Sequence, residues 1–169
     1  MGVSGCGKSS VGALCAQALG WPLHEGDTYH SPSSIAKMRA GTPLTDADRS
    51  GWLDHLAALL AAPPAGAGVV LTCSALRSRY RDRLRQALPG LGFVFLQLDY
   101  AQALARVQAR PGHFFSPALV ENQFATLESP HGEPGVLTLN ALQPVQQLAD
   151  QVVAWARGAA VADLAGDIA

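Results

Sequence analysis

Short apolar runs alternate with longer amphipathic stretches along this chain, and the alternation predicts its secondary structure. The clearest strand candidates are residues 69–73 and 93–98, which are rich in branched or aromatic side chains. Residues 136–139 and 22–24 are weaker strand candidates. With the helical segments between them, the predicted order is helix, strand, helix, helix, strand, helix, strand, helix, helix, strand, helix. This order predicts parallel βαβ units whose strands are buried on both faces.

Turn and capping residues mark the boundaries of the predicted helices. Thr45 and Asp48 are three residues apart, the spacing of a capping box at a helix start. Gly41 and Gly90 stand where glycine commonly ends a helix. Two prolines and a glycine within residues 63–66 interrupt the chain before the next strand. These signals agree with the element order that the apolar pattern predicts.

Length and composition indicate one domain in a protein of the cytoplasm. The chain has 169 residues and is 49% hydrophobic, so we expect one domain over residues 1–158 and a disordered tail at 159–169. A net charge of -1 disfavours nucleic acid and acidic membranes as partners. Cys6, Cys15 and Cys73 lack CxxC spacing, which is typical of reduced thiols. No apolar run approaches the roughly 20 residues of a membrane span.

Residues 2–9, GVSGCGKS, match the phosphate-loop pattern G-x-x-x-x-G-K-[ST], and a helix-forming run follows them. Such a loop points backbone N–H groups and a helix N-terminus at phosphate oxygens, whereas the alternative is a chance glycine-rich helix cap. Lys8 is expected to bridge the β- and γ-phosphates, and the Ser9 hydroxyl to bind Mg²⁺. We therefore predict ATP and Mg²⁺ as cofactors. The predicted nucleotide-binding residues are Gly2, Val3, Ser4, Gly5, Cys6, Gly7, Lys8, Ser9 and Ser10.

The segment before this loop is unusual, because a phosphate loop normally follows a buried strand. Here the sequence begins one residue before the first glycine. In a doubly wound sheet that strand is central, so we expect two exposed strand edges and a large apolar surface. Our hypothesis is that Met1 is an internal methionine of a longer natural chain.

A second set of motifs is spread along the chain. The motifs are EGDTYHSP at 25–32, KM at 37–38, GTPLTDADR at 41–49, WL at 52–53, CSAL at 73–76, RYRD at 79–82, GHFF at 112–115, QF at 123–124 and LE at 127–128. Taken with the phosphate loop, these motifs resemble the gluconokinase family over nearly all of residues 1–157. The resemblance implies a three-layer α/β P-loop kinase fold, a parallel sheet flanked by helices with a small lid. It also implies ATP-dependent phosphorylation of D-gluconate to 6-phospho-D-gluconate by a homodimer.

Two carboxylates follow the weak strand at 22–24, at the strand end where ligands bind in open α/β sheets. Asp27 is predicted to accept a hydrogen bond from the attacking hydroxyl, to orient it and to act as general base. Glu25 is predicted to reach Mg²⁺ through water, although related kinases usually carry Asp at this position. A solvated loop carboxylate is the alternative for each.

Two residues are predicted to bind the sugar acid itself. The planar fork of Arg49 suits a carboxylate, and the resemblance implies a substrate-binding arginine at this position. The alternative for Arg49 is an ion pair within its own helix, with Asp46 or Asp48. His30 is predicted to bond a substrate hydroxyl, with a structural role as its alternative.

Ser74 and Arg77 follow the strand at 69–73 and are predicted to reach the same crevice. Five arginines between residues 77 and 85 also invite a nucleic-acid interpretation. At about 100° per residue they spread around a helix, so we interpret them as a mostly solvated face. The family position of Arg77 is often lysine, so the resemblance implies positive charge there.

A small lid is predicted at about residues 111–127. Arg106 and Arg110 share one helix face just before a proline-glycine break, and lid arginines stabilise charge on the transferred phosphoryl group and exclude water. An exposed helix face is the alternative for both. His113 is a further predicted substrate contact, and the resemblance implies that residues 140–144 hold adenine.

The predicted function is phosphoryl transfer from ATP to D-gluconate. The phosphate loop and spacing alone indicate an ATP-dependent phosphotransferase, and gluconate rests on the resemblance. Open alternatives are a related kinase of a shikimate-like hydroxy acid or of a nucleoside monophosphate, and a nucleotide-binding module without an acceptor. The sequence lacks the N-K-x-D guanine motif expected of a small GTPase.

Overall fold

The computed structural model describes residues 1–63, 68–109 and 116–166, with side chains as far as residue 158. Helices and strands follow each other in the predicted order, and short 3₁₀ helices span Gly26–Tyr29 and Pro117–Leu119. The elements are α1 Lys8–Leu19, β1 Leu23–Glu25, α2 Pro32–Arg39, α3 Asp46–Ala61, β2 Val70–Thr72, α4 Ser78–Ala87, β3 Phe93–Gln97, α5 Tyr100–Gln108, α6 Val120–Thr126, β4 Val136–Asn140 and α7 Val145–Gly166.

The four strands form two parallel pairs. Strand β1 pairs with β2, with Leu23 opposite Val70, and β3 pairs with β4, with Phe93 opposite Val136. Within the described residues the two pairs are separate two-stranded sheets. The split agrees with the exposed strand edges that the sequence predicts.

Helices cover both faces of the strands, as the apolar strand composition predicts. Successive side chains of a strand point to opposite faces. On β3, Phe93 accordingly packs with Leu56 of α3 and Leu84 of α4, whereas Leu96 packs with Val11 of α1 and Val152 of α7. Two hydrophobic clusters therefore enclose the strands from both sides, which is the three-layer arrangement.

The start of α3 is fixed by the predicted capping box. The Asp48 backbone N–H donates to Thr45 Oγ1 at 3.2 Å, and the Thr45 backbone N–H donates to Asp48 Oδ2 at 2.9 Å. A bond from Lys37 and the bonds from Thr45 lower the pKa of Asp48 to about 2. The cap sets the first turn of α3, and therefore the position of Arg49.

Three sequence predictions concern residues near or outside the limits of the described residues. Helix α7 runs to Gly166, so the segment expected to be a disordered tail, 159–169, begins inside a helix. The domain boundary at 158 stays a prediction. Arg110, His113 and the first part of the predicted lid lie outside the described residues. Among the described helices, none is both long and apolar enough to cross a membrane.

Candidate active site

The phosphate loop closes onto the first turn of α1. Gly7 is the helix N-cap with a φ of 97°, and Gly5 has a φ of 83°, both in the left-handed region that favours glycine. A Cβ on Gly5 would lie 3.0 Å from the carbonyl oxygen of Ala103. The glycines therefore permit both the curvature of the loop and its close packing on α5.

Lys8 lies across this loop. Its Nζ donates to the carbonyl oxygens of Gly2 and Val3, each at 3.0 Å. Among the described residues no carboxylate forms an ion pair with it. The ammonium is thus held by neutral groups that phosphate oxygens can replace.

Three oxygen-bearing side chains meet beside the start of α1. The hydroxyls of Ser9 and Thr72 both donate to Glu25 Oε2, at 3.0 and 2.5 Å. Hard oxygen ligands of this type suit Mg²⁺, which usually keeps several waters and takes further ligands from substrate phosphates. No cluster of three or more His, Cys, Asp or Glu side chains suited to a metal occurs in the described part of the chain. The donor set therefore fits a cation held jointly with a nucleotide.

A narrow crevice adjoins the phosphate loop and brings most of the predicted substrate residues together. It lies between the loop, the 3₁₀ helix after β1, the start of α3 and α6. Its chemistry is mixed, with cationic, acidic, imidazole, hydroxyl and amide groups facing one space. The lining residues are Ser4, Lys8, Asp27, His30, Met38, Pro43, Leu44, Arg49, Ser74, Leu119, Asn122 and Gln123.

Arg49 lines this crevice and forms neither of the ion pairs, with Asp46 or Asp48, that were the alternative for it. Asp46 instead accepts a hydrogen bond from Tyr80, and Asp48 accepts one from Lys37 at 2.6 Å. Among the described residues Arg49 has no ion-pair partner. Burial lowers its pKa. The half-buried guanidinium thus has free donors for an acidic ligand.

His30 is buried at the wall of the crevice, with 9% of its surface exposed. Its ring stacks on Trp52 at a centroid distance of 4.5 Å, and Trp52 Nε1 donates to the Gly26 carbonyl at 2.7 Å. Within the described structure, His30 Nδ1 has no hydrogen-bond partner. Burial lowers the pKa of His30, and the carboxylate of Asp27 opposes this shift. Burial therefore favours the neutral imidazole over the charged form, and Nδ1 is available to a ligand.

Arg77 takes a different place from the other predicted substrate residues. It is the N-cap of α4 and is absent from the crevice lining. Burial is the largest cause that lowers the pKa of Arg49, and the hydrogen bond from Tyr80 is the largest that lowers the pKa of Asp46. The charge of Arg77 is a smaller cause that lowers both pKa values. Its effect on the crevice is therefore electrostatic in this conformation.

Asn122 and Gln123 are crevice residues that the sequence analysis did not identify. Gln123 Oε1 accepts a hydrogen bond from the backbone N–H of Ser4 at 2.6 Å, which joins α6 to the phosphate loop. In the sequence, residues 123–124 form one of the motifs of the gluconokinase resemblance, without a predicted role. The contact spans most of the chain, so no local spacing signals it.

Arg106 lies at the nucleotide end of the site. Its guanidinium donates to the carbonyl oxygens of Gly5 at 3.4 Å and Ala141 at 3.1 Å. It therefore links the phosphate loop to the segment where adenine is expected, 140–144, rather than lying on a free helix face. Arg110 and His113 are outside the described residues.

Comparisons with known proteins agree with this geometry. The family model described as shikimate kinase matches residues 4–130. A gluconokinase from Gluconobacter oxydans is 43% identical over 144 residues, which are 83% of this chain and 79% of the relative. The thermoresistant gluconokinase of Escherichia coli is 40% identical over 148 residues, 86% and 85% of the two chains. This chain belongs to the gluconokinase family.

Solved structures place the gluconokinase-family chain in the same fold. A crystal structure of a gluconokinase from Sinorhizobium meliloti has a TM-score of 0.86 and 43% identity, covering 97% of this chain and 93% of that one. Shikimate kinase from Aquifex aeolicus has a TM-score of 0.58 at 15% identity, which shows a shared fold alone. The predicted P-loop kinase fold is confirmed.

In this gluconokinase-family chain, Arg81 supports the loop after β2 that carries Ser74. Arg81 is fully buried, pairs with Glu133 and donates from Nη1 to the Ala75 carbonyl at 2.9 Å. Ala75 has a φ of 45°, a left-handed conformation that costs a non-glycine residue about 1–3 kcal/mol. The bonds to Arg81 oppose this strain, so Ser74 stays at the crevice.

Proposed function

We propose that this chain is a gluconokinase that transfers the γ-phosphoryl group of ATP to D-gluconate, giving 6-phospho-D-gluconate. The observation that carries the proposal is Arg49. Its half-buried guanidinium faces the crevice beside the phosphate loop without an ion-pair partner among the described residues. A sugar acid supplies the missing carboxylate, and Arg binds carboxylates through two parallel hydrogen bonds.

The nucleotide binds to the phosphate loop in this proposal. Backbone N–H groups of the loop and the N-terminus of α1 hold the phosphates, and Lys8 exchanges its carbonyl partners for phosphate oxygens. Ser9 and Glu25 would hold Mg²⁺, which when bound would neutralise charge on the nucleotide phosphates. Arg106 adds positive charge beside Gly5.

The acceptor lies on the other side of Lys8. Asp27 accepts a hydrogen bond from the attacking hydroxyl and aligns it with the γ-phosphate, because the carboxylate and Lys8 line the same crevice. The free nitrogen of His30 and the hydroxyl of Ser74 bind other substrate hydroxyls. Arg49 fixes the carboxylate, so the acid is held at one end while its far hydroxyl reacts.

The proposal also assigns roles to the lid residues Arg110 and His113, and it includes a homodimer. We assign Arg110 to the transferred phosphoryl group and His113 to the substrate, within one kinase domain over 1–158. The resemblance to the family supports a homodimer, which light scattering tests. All three cysteines are free and buried, which supports a reducing compartment such as the cytoplasm.

An acceptor panel tests the reaction directly. ADP release with Mg²⁺-ATP is measured for gluconate, shikimate, glucose, glycerate and AMP. We expect gluconate to stimulate release most strongly, because glucose and AMP lack a carboxylate. Shikimate and glycerate have one but differ from gluconate in size and shape. Shikimate is the informative rival, since its kinase gives the matched family model its description. Preference for shikimate over gluconate contradicts the proposed substrate.

A further inference from the structure

Two acids, Asp46 and Asp48, precede Arg49 in the first turn of α3. Residues three apart on a helix are neighbours, so Asp46 is placed to form an ion pair with Arg49. Both oxygens of Asp48 are already engaged, because Oδ1 accepts from Lys37 at 2.6 Å and Oδ2 accepts from the Thr45 N–H at 2.9 Å. Of these two acids, Asp46 is therefore the one that competes with a substrate carboxylate for Arg49.

Two side chains of α4 hold Asp46 instead. The Tyr80 hydroxyl donates to Asp46 Oδ1, and the Arg79 guanidinium donates to Asp46 Oδ2. Burial, and then the bond to Asp46, raise the pKa of the Tyr80 hydroxyl, so it keeps its proton and remains a donor. Both oxygens of Asp46 thus have donors on α4, and Arg49 forms no ion pair among the described residues.

The ring of Tyr80 also contacts Arg49 directly. Tyr80 is 7% exposed and packs in a hydrophobic cluster with Trp52 and Leu84. The guanidinium carbon of Arg49 lies 6.0 Å from the centroid of the Tyr80 ring, within the range of cation–π attraction. This contact uses the charge of the guanidinium and leaves its N–H donors free. A ring fixed in the core therefore supports Arg49 without occupying the groups that bind a carboxylate.

We propose that Tyr80 is a positioning residue for recognition of the acid: its ring orients Arg49, and its hydroxyl holds Asp46 away from Arg49. The substrate carboxylate then meets a guanidinium that the chain's own acids have not neutralised. The inference rests on the proposed function and adds to it a residue outside the crevice lining. Because Tyr80 acts through Arg49, its loss should weaken binding of the acid and spare the transfer step.

Two substitutions separate the roles of the ring and of the hydroxyl. Tyr80→Phe removes only the hydroxyl, so Asp46 Oδ1 becomes available to Arg49 while Arg79 still holds Oδ2. We expect the KM for gluconate to rise about threefold, the size of an exposed ion pair. Tyr80→Leu also removes the cation–π contact, and the KM should rise about tenfold. A fall in kcat with an unchanged gluconate KM in Tyr80→Phe would overturn the proposal.

A second substitution distinguishes release of Asp46 from a merely structural effect. Adding Asp46→Asn to Tyr80→Phe should return the gluconate KM to about the parent value, because the competing charge is gone. The matched control is Asp54→Asn, since Asp54 is an exposed acid of the same helix that pairs with Arg83 of α4. Added to Tyr80→Phe, it should leave the KM raised. No restoration by Asp46→Asn, or equal restoration by the control, contradicts the proposal.

Calorimetry of gluconate binding separates this inference from the proposed function. The Kd for gluconate should follow the KM through the series of variants. If the parent chain binds and phosphorylates gluconate but Tyr80→Phe binds it with the same Kd, only the role of Tyr80 is wrong. If the parent chain neither binds nor phosphorylates gluconate, the proposed function is wrong, and this inference fails with it.

Discussion

At the level of single side chains, the proposed function assigns recognition of the acid to Arg49. We expect Arg49→Lys to raise the KM for gluconate by about 10- to 100-fold, because a lysine cannot reproduce a two-bond contact with a carboxylate. The KM for ATP should stay the same, since Arg49 lies in the crevice rather than on the phosphate loop. Steady-state kinetics of this variant and of the exposed control Arg83→Lys check the prediction. An unchanged gluconate KM would refute the assignment.

Asp27 is expected to act on the rate of transfer rather than on nucleotide binding. The variant Asp27→Asn keeps the size of the side chain but loses the basic oxygen, so kcat should fall by about 10²- to 10⁴-fold. Nucleotide affinity, measured by calorimetry, should change little. A kcat within twofold of the parent chain would leave Asp27 without a catalytic role.

His30 makes the stability of the fold depend on pH. Its pKa is lowered by burial from an ordinary value of 6.5, so the unfolded chain takes up a proton at a higher pH than the folded chain does. The free energy of unfolding should therefore fall as pH decreases below about 6.5. Urea unfolding at several pH values should show a weaker dependence for His30→Phe, which retains an aromatic ring over Trp52. Parallel curves would contradict this.

The sequence predicts those site residues that belong to local motifs. Asp27, His30, Arg49 and Ser74 each follow a strand end or a helix start, and the structure brings all four to one crevice. The sequence does not predict Gln123, because its bond to Ser4 joins residues 119 positions apart. Thr72 and Arg81 were missed for the same reason, since their partners come from distant segments.

At the level of elements, the ion pair between Arg81 and Glu133 ties α4 to the segment before β4. Removing the carboxylate in Glu133→Gln leaves a fully buried guanidinium without its counter-charge, which is expected to cost about 3–5 kcal/mol in the free energy of unfolding. Denaturant unfolding measures this loss, with the exposed Glu121→Gln as control. A loss equal to that of the control would show that the pair is not structural.

The same ion pair gives an acid dependence with a definite sign. Bonds from Arg81, and then from Arg85, lower the pKa of Glu133 to about 2 from its ordinary 4.5. Its contribution to stability is therefore complete above about pH 4.5 and is lost as pH falls towards 2. Acid unfolding curves should show this loss in the parent chain and not in Glu133→Gln. Identical curves would contradict the assignment.

Element order was predictable because the apolar period changes clearly between strands and helices. The ends of the strands were less predictable than their order. Strand β2 was expected at 69–73 and spans Val70–Thr72, and beyond its C-terminal end the chain turns through Ala75 at a φ of 45°. Tertiary bonds from Arg81 hold that turn, and no residue within the strand itself signals it.

At the level of the whole molecule, the phosphate loop and the crevice that contains Arg49 meet at Lys8. The family and the fold were predictable from motifs that occur in order along the chain. Two exposed strand edges were also expected from the segment before the loop, and within the described residues the strands form two separate pairs. Of the predicted lid at residues 111–127, the structure describes residues 116–127, which contain the 3₁₀ helix Pro117–Leu119 and α6.

The most direct test of the central claim is formation of 6-phosphogluconate by the purified chain, measured by mass spectrometry after incubation with Mg²⁺-ATP and gluconate. We expect the product to form with the parent chain and to be nearly abolished in Lys8→Ala, with circular dichroism confirming that the variant is folded. No product from a folded parent chain, or equal product from both chains, would contradict the assignment of gluconate phosphorylation to this site.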